Sequence, residues 1–499
     1  MSFANLSEDI LVFMLSPMLD DNSNVNLFQM NKGMTSFIPK ISIKEKMITI
    51  LTDNCFHNKS FRKTNVRITA VSKLLNTMPN YVNRVYISNR RYLDNILPKN
   101  LHELIVENEL EQPIITTSLP ENLKVLRIHK VKQTYSQLIR LAPPNLEELH
   151  IMSNANSLIK KLPTNLKVLC INGYYTHPLC LPNTLKKLTI LEGFNSTLEM
   201  PDGLEYFEIN NHFDQLIVFP DSLKQLIFKG KSNHPITLPL KIEKLHITWG
   251  SLYSGDAPTI SFTKYEHLRE LVISGQYNNK PIELPDNLEV FESLSYFDYN
   301  HPIILPKKLK RLKISNKFNQ LLDLPNTLEE FYLDCFKYNC SLQLPESLKI
   351  FYICATLTDP NIILPSNLKH LILIGNFNHP IVLPKYLEKL EIYNDFNHPI
   401  ELPDLLKHLS LGGCFNKQIA LPNSLESFRT TGNFNHPVIF PNSLKTIFIR
   451  GCFDQQINIP PNLIQIEIDG KFNAPLEFTT PKKIKLMSTG MSRIKMSFH

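Results

Sequence analysis

The chain has 499 residues, with 53 Lys and Arg against 46 Asp and Glu and a formal net charge of +7. That excess is spread thinly, so a solvated lysine-bearing face is expected rather than a nucleic-acid stripe, the short Arg84–Arg91 stretch being the one local exception. No apolar run reaches the roughly 18 residues of a membrane span, and acidic Glu8 and Asp9 without a basic flank do not read as a signal peptide.

Residues 1–40 read as helical. Ser7 can cap a helix starting at Glu8, and early acids suit its N-terminal dipole. Ile10, Leu11, Met14 and Leu15 follow at helical spacing. Pro17 and the polar Asp20–Asn24 interrupt. A second apolar stretch, Val25, Leu27, Phe28 and Met30, then closes on Asn31-Lys32. Residues 41–78, with Lys44, Lys46, Arg62, Lys63 and Arg67, are expected to act as linker and N-terminal cap.

From residue 79 to 499 the chain repeats itself. Each unit holds a proline, two variable residues and then L-x-x-L-x-I, as in Pro384-Lys385-Tyr386-Leu387-Glu388-Lys389-Leu390-Glu391-Ile392. The prolines are mostly 19 or 20 residues apart, and 21–23 near the start. A gap from Pro239 to Pro285 hides a unit at Leu268, Leu271 and Ile273, preceded by an insertion around Trp249–Tyr265. About 21 coils are expected. Phe377, Phe396, Phe415, Phe434, Phe453 and Phe472 stand 19 apart, four of them opening F-N-x-P.

The physics of one unit is simple. L-x-x-L-x-I alternates apolar and variable residues, which suits a short strand with one buried face. The proline lacks an N–H and belongs at or before the strand start. The stretch His379-Pro380-Ile381-Val382-Leu383-Pro384 cannot be a helix and should run extended. One unit cannot enclose a core, so neighbours must stack. Stacked coils put the phenylalanines in an aromatic ladder and the asparagines (Asn319, Asn339, Asn378, Asn397, Asn416, Asn435, Asn473) in a column able to bond turn backbone. Asp214 and Asp454 can substitute there. Cys354, Cys414 and Cys452 are expected where small apolar residues fit. Eight cysteines without C-x-x-C pairs fit a reducing compartment.

The phrases F-N-H-P-I-V-L-P and F-N-H-P-I-E-L-P resemble the FNIP repeat, a short relative of leucine-rich repeats, over about residues 79–499. Asn376, Cys414, Asn433 and Cys452 match the leucine-rich asparagine turn. The resemblance implies a mainly β, leucine-rich-repeat-like solenoid with parallel strands and little or no convex helix. Residues 1–40 resemble an F-box: Leu6, an acid, Ile10 and Leu11, Met14 and Leu15, then a short second helix. Ser7 stands where that family has proline, and Phe37 falls at its closing aromatic.

That resemblance implies that Leu6, Ile10, Leu11, Met14 and Leu15 dock a Skp1-type adaptor of a cullin (SCF-type) ubiquitin ligase. The solenoid would hold an unknown protein substrate, and the chain itself would be no enzyme. The architecture resembles proteins of amoebae and of the giant viruses infecting them, which implies a cytoplasmic location, the host's if viral. The alternative is a non-catalytic scaffold in which residues 1–40 only cap the stack. A third, an enzyme or polysaccharide-binding solenoid, finds no supporting motif: no G-x-S-x-G, H-E-x-x-H or phosphate-cradling loop occurs.

In a leucine-rich strand, offsets two, four and six from the first leucine face outward on the concave side. Most are polar: Lys389 and Glu391, Arg311 and Lys313, Gln465 and Glu467. Between 328 and 393 they become Tyr332, Ile350, Tyr352, Cys354, Ile372, Ile374 and Tyr393, an apolar, tyrosine-rich patch. Such patches mark interaction sites, although β-branched and aromatic residues also simply favour strands. His177, His234, His301, His379, His398 and His436 share one repeat position, and His379 and His398 should stack. They lack the partner cysteines and acids of a metal site, so no metal, cofactor, nucleic-acid or membrane partner is expected, and the protein is expected to be a monomer.

Overall fold

The computed structural model describes residues 83–87, 97–107, 118–129, 135–152, 156, 158–210, 213, 215–230, 236–248, 260–275, 281–294, 299–357, 362–375, 377–393, 395–470 and 472, with the strand backbones at 25–26, 47–50, 65–68, 476–478, 485–488 and 496–498. The chain divides at Ile242/Glu243 into two compact units. Both are built in the same way. In the first, strands such as Glu103–Val106, Val125–His129, Glu148–Met152, Val168–Asn172 and Lys187–Ile190 each pair in parallel with the next in chain order. In the second, the same succession runs from Lys244–Thr248 and Glu270–Ser274 to Gln465–Gly470 and Lys485–Ser488. This is a parallel β-solenoid, one main strand per repeat.

The local chemistry explains the coil. In P-x-x-L the leucine N–H donates to the proline carbonyl at 3.0 to 3.4 Å, from Leu101 and Pro98 to Leu463 and Pro460. The proline is thus the first residue of a β-turn, where its missing N–H costs nothing. In the unit without proline, Tyr265 takes the position and Leu268 N–H bonds its carbonyl at 3.0 Å. The strand that follows alternates half-buried and buried residues, as in Lys389–Ile392 and Tyr206–Ile209. Leu390, Leu409, Phe428 and Ile447 are all at most 2% exposed and form one wall of the core. Each such side chain is worth about 1.5–3 kcal/mol on burial.

The return side is extended and only intermittently paired, as in Leu179–Cys180 with Leu198–Glu199 and Ile260–Ser261 with Ile282–Glu283. Its prolines remove the donors a continuous second sheet would need. The wider spacing between Pro120 and Pro143 is filled by a short helix, Tyr135–Leu141, which buries Leu138 and Ile139.

The phenylalanine column is the aromatic ladder that the period requires. Phe377, Phe396 and Phe415 stack at 6.1 Å with interplanar angles of 6° and 7°, and the series continues through Phe434 to Phe453. In the first unit Tyr175, Phe194 and Phe213 stack the same way. The asparagine column bonds between coils rather than within its own turn. The Asn378 Oδ1 accepts from Asn397 N–H at 3.1 Å, Asn397 from Asn416 at 3.0 Å, Asn416 from Asn435 at 3.1 Å, and Asn435 from Asp454 at 2.9 Å. Below the phenylalanines a glycine precedes the turn. A Cβ on Gly432 would lie 2.3 Å from the Gly413 carbonyl oxygen, so the backbones approach too closely for any other residue.

Just before each strand, charges alternate across coils. Glu147 is held between Lys124 and Lys167, both at 2.8 Å, and Glu388 between Lys369 at 3.1 Å and Lys407 at 2.8 Å. A slip of one coil would set like charges together, so this ladder selects register more than it adds stability.

Three expectations need correction. Val25–Asn26, expected within a second helix, is a strand paired in parallel with Ile48 and Thr49; a β-branched residue lies against an edge with open backbone groups. The parallel succession also includes Met47–Ile50 and Asn65–Ile68, inside the stretch 41–78 expected to be linker and N-terminal cap, so the strands begin before residue 79. Cys414 and Cys452 are exposed rather than fitted into an apolar column, because the neighbouring glycine turns the chain outward there; Cys354 is half-buried.

Candidate protein-binding face

Leucine and isoleucine occupy the core side of each strand, which leaves the alternate positions on the solvent side. In the second unit these line up by strict register. Tyr332 lies opposite Tyr352, Tyr352 opposite Ile372, and Cys354 opposite Ile374. Ile350 sits between Glu330 and His370. All are half-buried. The two tyrosine rings are 5.9 Å apart and tilted by 36°. The patch is bounded by Arg311, Lys313 and Glu330 on one side and by Lys389 and Glu391 on the other.

The phenols in it are neutral donors. The Tyr332 hydroxyl donates to Glu330 Oε2 at 3.2 Å, and that carboxylate also accepts from Arg311 Nε at 2.8 Å. Burial, then the charge of Glu330, pushes the Tyr332 hydroxyl up. Burial, with Cys354 and Asp334 beside it, pushes Tyr352 up to about 12. Rigid, uncharged rings with a polar tip are the side chains that bury most at protein interfaces for the least entropy.

Tyr393 is half-buried at the outward offset of the next coil. Its ring lies over Gly412, where a Cβ would stand 2.5 Å from Cδ1. Its hydroxyl bonds Glu391 Oε2 at 3.0 Å and Ser410 Oγ at 2.9 Å. Two small residues on the next coil, Gly412 and Ser410, receive the ring and its hydroxyl. It forms the wall of a separate polar depression of about 280 Å³ that extends to Arg429. Arg429, Phe448 and Arg450 were not among the expected binding residues, although they occupy the same outward offsets of the next units.

The other candidates resolve differently. Leu6, Ile10, Leu11, Met14 and Leu15 lie outside the described residues. The shared histidines serve the scaffold: His398 Nε2 meets the Asn378 carbonyl at 3.0 Å and His436 Nε2 that of Asn416 at 3.2 Å. Each ring packs against its own phenylalanine, as His379 does edge-on to Phe377, and glutamine replaces histidine at Gln320 and Gln455 with the same bond. Among the described residues no group of three or more His, Cys, Asp or Glu could hold a metal ion, and no helix is long and apolar enough to cross a membrane. Arg84 is not a free cation: it and Arg127, at 3.0 Å, both clasp Glu103.

Stacked parallel strands, coil-to-coil asparagine bonds and a solvent-side face free of packing duty define a leucine-rich-repeat-like solenoid, a repeat fold of the kind that typically serves as a non-catalytic interaction module. Within it, the family model of the FNIP Repeat matches residues 396–429. Among solved structures, the chain is similar to CroV588, described as a novel circular LRR protein, at 21% identity and TM-score 0.52, covering 91% of this chain and 78% of that one. It is also similar to YopM from Yersinia enterocolitica WA-314, at 21% identity and TM-score 0.51, covering 79% and 88%. At that identity the likenesses speak to the fold. No curated protein matches the sequence.

Proposed function

We propose that this solenoid captures a protein on the solvent side of its sheet, with Tyr332, Ile350, Tyr352, Ile372 and Ile374 as the anchor patch. The observation that carries this reading is the Tyr332–Tyr352–Ile372 row, three aromatic or apolar residues in succession in a column of the second unit where such residues otherwise stand singly, as Val272 and Phe448 do. In the finer form of the proposal, Leu6, Ile10, Leu11, Met14 and Leu15 dock a Skp1-type adaptor, and the chain is the substrate receptor of a cullin ubiquitin ligase in the cytoplasm. Its mechanism is then proximity: the receptor raises the local concentration of a bound protein beside the conjugating machinery, and performs no chemistry itself.

The test is a pull-down with the intact chain from cells. Tyr332→Ala with Tyr352→Ala should lose the captured protein while the unfolding midpoint stays put; unchanged capture would sink the patch. Adaptor recovery, lost on replacing Leu11 and Leu15 by Glu, supports the ligase form. Failure to recover an adaptor leaves the scaffold reading, which the pairing of Val25–Asn26 with the strand Met47–Ile50 favours, since it makes part of the N-terminal region sheet.

A further inference from the structure

Two strands beyond the tyrosine patch, the same face changes character. Lys389, Tyr393, His408, Ser410, Ser427 and Arg429 line the depression of about 280 Å³. It exists because Ser410 is small where the neighbouring strands carry Glu391 and Arg429, and Ser427 is small beside His408 and Thr446. Its charge is uneven. Glu391, the one carboxylate in it, is already occupied: Lys389 Nζ lies 2.5 Å from Oε1 and the Tyr393 hydroxyl 3.0 Å from Oε2. Arg429 is exposed and has no carboxylate within ion-pair distance among the described residues. Its guanidinium is nevertheless held in place, 4.0 Å from the centre of the Phe448 ring. Arg450 lies 4.7 Å from the same ring and spends its charge on Glu467 at 3.3 Å. The Ser427 hydroxyl accepts from Thr446 Oγ1 at 2.9 Å, which leaves its own hydrogen to donate outward.

A planar guanidinium, held by cation–π contact and with no carboxylate partner among the described residues, beside the Ser427 hydroxyl donor, is a fork for an oxyanion. The geometry points to Arg429 as the centre of an oxyanion subsite that takes the acidic side chain, carboxylate or phosphomonoester, of an extended protein segment crossing the strands. The assignment of the segment to a protein rests on the proposed function; the anion chemistry does not. Ile372, Glu391, Ser410 and Arg429 lie opposite one another on successive strands. Three strand spacings are about 14 Å, the length of about four extended residues. The segment would therefore carry an apolar residue over Ile372 and an acidic one about four residues away.

Three labelled hexapeptides, acetyl-Leu-Ser-Thr-Ser-X-Ser-amide with X as Ser, Glu or phosphoserine, test this by fluorescence anisotropy on the intact chain. The expected result is that X as Glu or phosphoserine binds about tenfold or more tightly than X as Ser, and that Arg429→Met abolishes the preference while keeping the same unfolding midpoint. Equal gains for Glu and phosphoserine assign a carboxylate; a gain for phosphoserine alone assigns a phosphomonoester. A preference that survives Arg429→Met, or none in the wild type, overturns the subsite. Tyr332→Ala with Tyr352→Ala should weaken all three peptides about equally; if it weakens none, the patch reading fails while the Arg429 result stands.

Discussion

Phe415→Ala is the sharpest probe of how this chain is held together. Phe415 is 0% exposed and stacks on Phe396 and Phe434, each at 6.1 Å. Truncating a buried phenylalanine costs about 3–5 kcal/mol. Each aromatic neighbour adds about 0.5–1.5 kcal/mol beyond area, and two are lost here, so the upper end of the range is expected. Phe415→Leu keeps most of the volume and loses only the stacking, so roughly 1–3 kcal/mol is expected. In a nearest-neighbour stack the damage should also be local. Hydrogen exchange should lose protection first in the strands Lys389–Ile392, His408–Leu411 and Ser427–Thr430, while Arg311–Asn316 keeps its own. A cost below about 1 kcal/mol, or an equal loss of protection at Arg311–Asn316, would refute the argument that the aromatic column holds neighbouring coils together.

Asn397→Ala removes the acceptor for the Asn416 N–H and should cost about 1 kcal/mol in a denaturant titration, while Asn397→Asp, which keeps an acceptor oxygen, should cost less. Thr430 is fully buried and its hydroxyl has no hydrogen-bond partner among the described residues, so Thr430→Val should raise stability by about 1 kcal/mol; a loss would mean the hydroxyl is satisfied. Gly432→Ala should be strongly destabilising, because its Cβ meets backbone rather than a side chain that can move, and an unchanged unfolding midpoint would contradict the close approach. Lys407 and then Lys369 hold the Glu388 carboxyl down to about 2, and Lys124 and then Lys167 do the same for Glu147. Their stabilisation is fully present above the unfolded value of about 4.5 and is lost as pH falls toward 2, so Glu388→Gln should flatten part of that acid limb in urea midpoints, and about 1 M salt should shrink the difference.

The repeat made the scaffold legible because its residues act by identity and interval. Proline three residues before leucine can only begin a turn, and phenylalanine at a fixed period can only stack. Less legible was where an asparagine side chain points: the residue type announces an acceptor, but the choice between its own turn and the next coil depends on a distance that exists only after stacking. The direction of Tyr393 was hidden for the same reason, since Gly412 and Ser410 on another coil decide it. The helix Tyr135–Leu141 was signalled only by a longer interval between prolines. Arg429 and Phe448 could have been found with the offsets that gave Tyr332 and Tyr352; they were passed over because a charged residue and a single aromatic look ordinary until their contact is seen.

The coil-to-coil asparagine bond also makes the period a unit of length. Removing residues 397–415 joins Phe396 to Asn416, so the Asn378 Oδ1 would meet the Asn416 N–H as it now meets that of Asn397, and the aromatic column would close likewise. A deletion one residue longer or shorter would break both columns at once. The protein is in this sense a ruler graduated at about 4.8 Å, on which the distance between Ile372 and Arg429 changes only in whole steps. Gain or loss of one period would retune which segments fit the face without any change to the chemistry of either end.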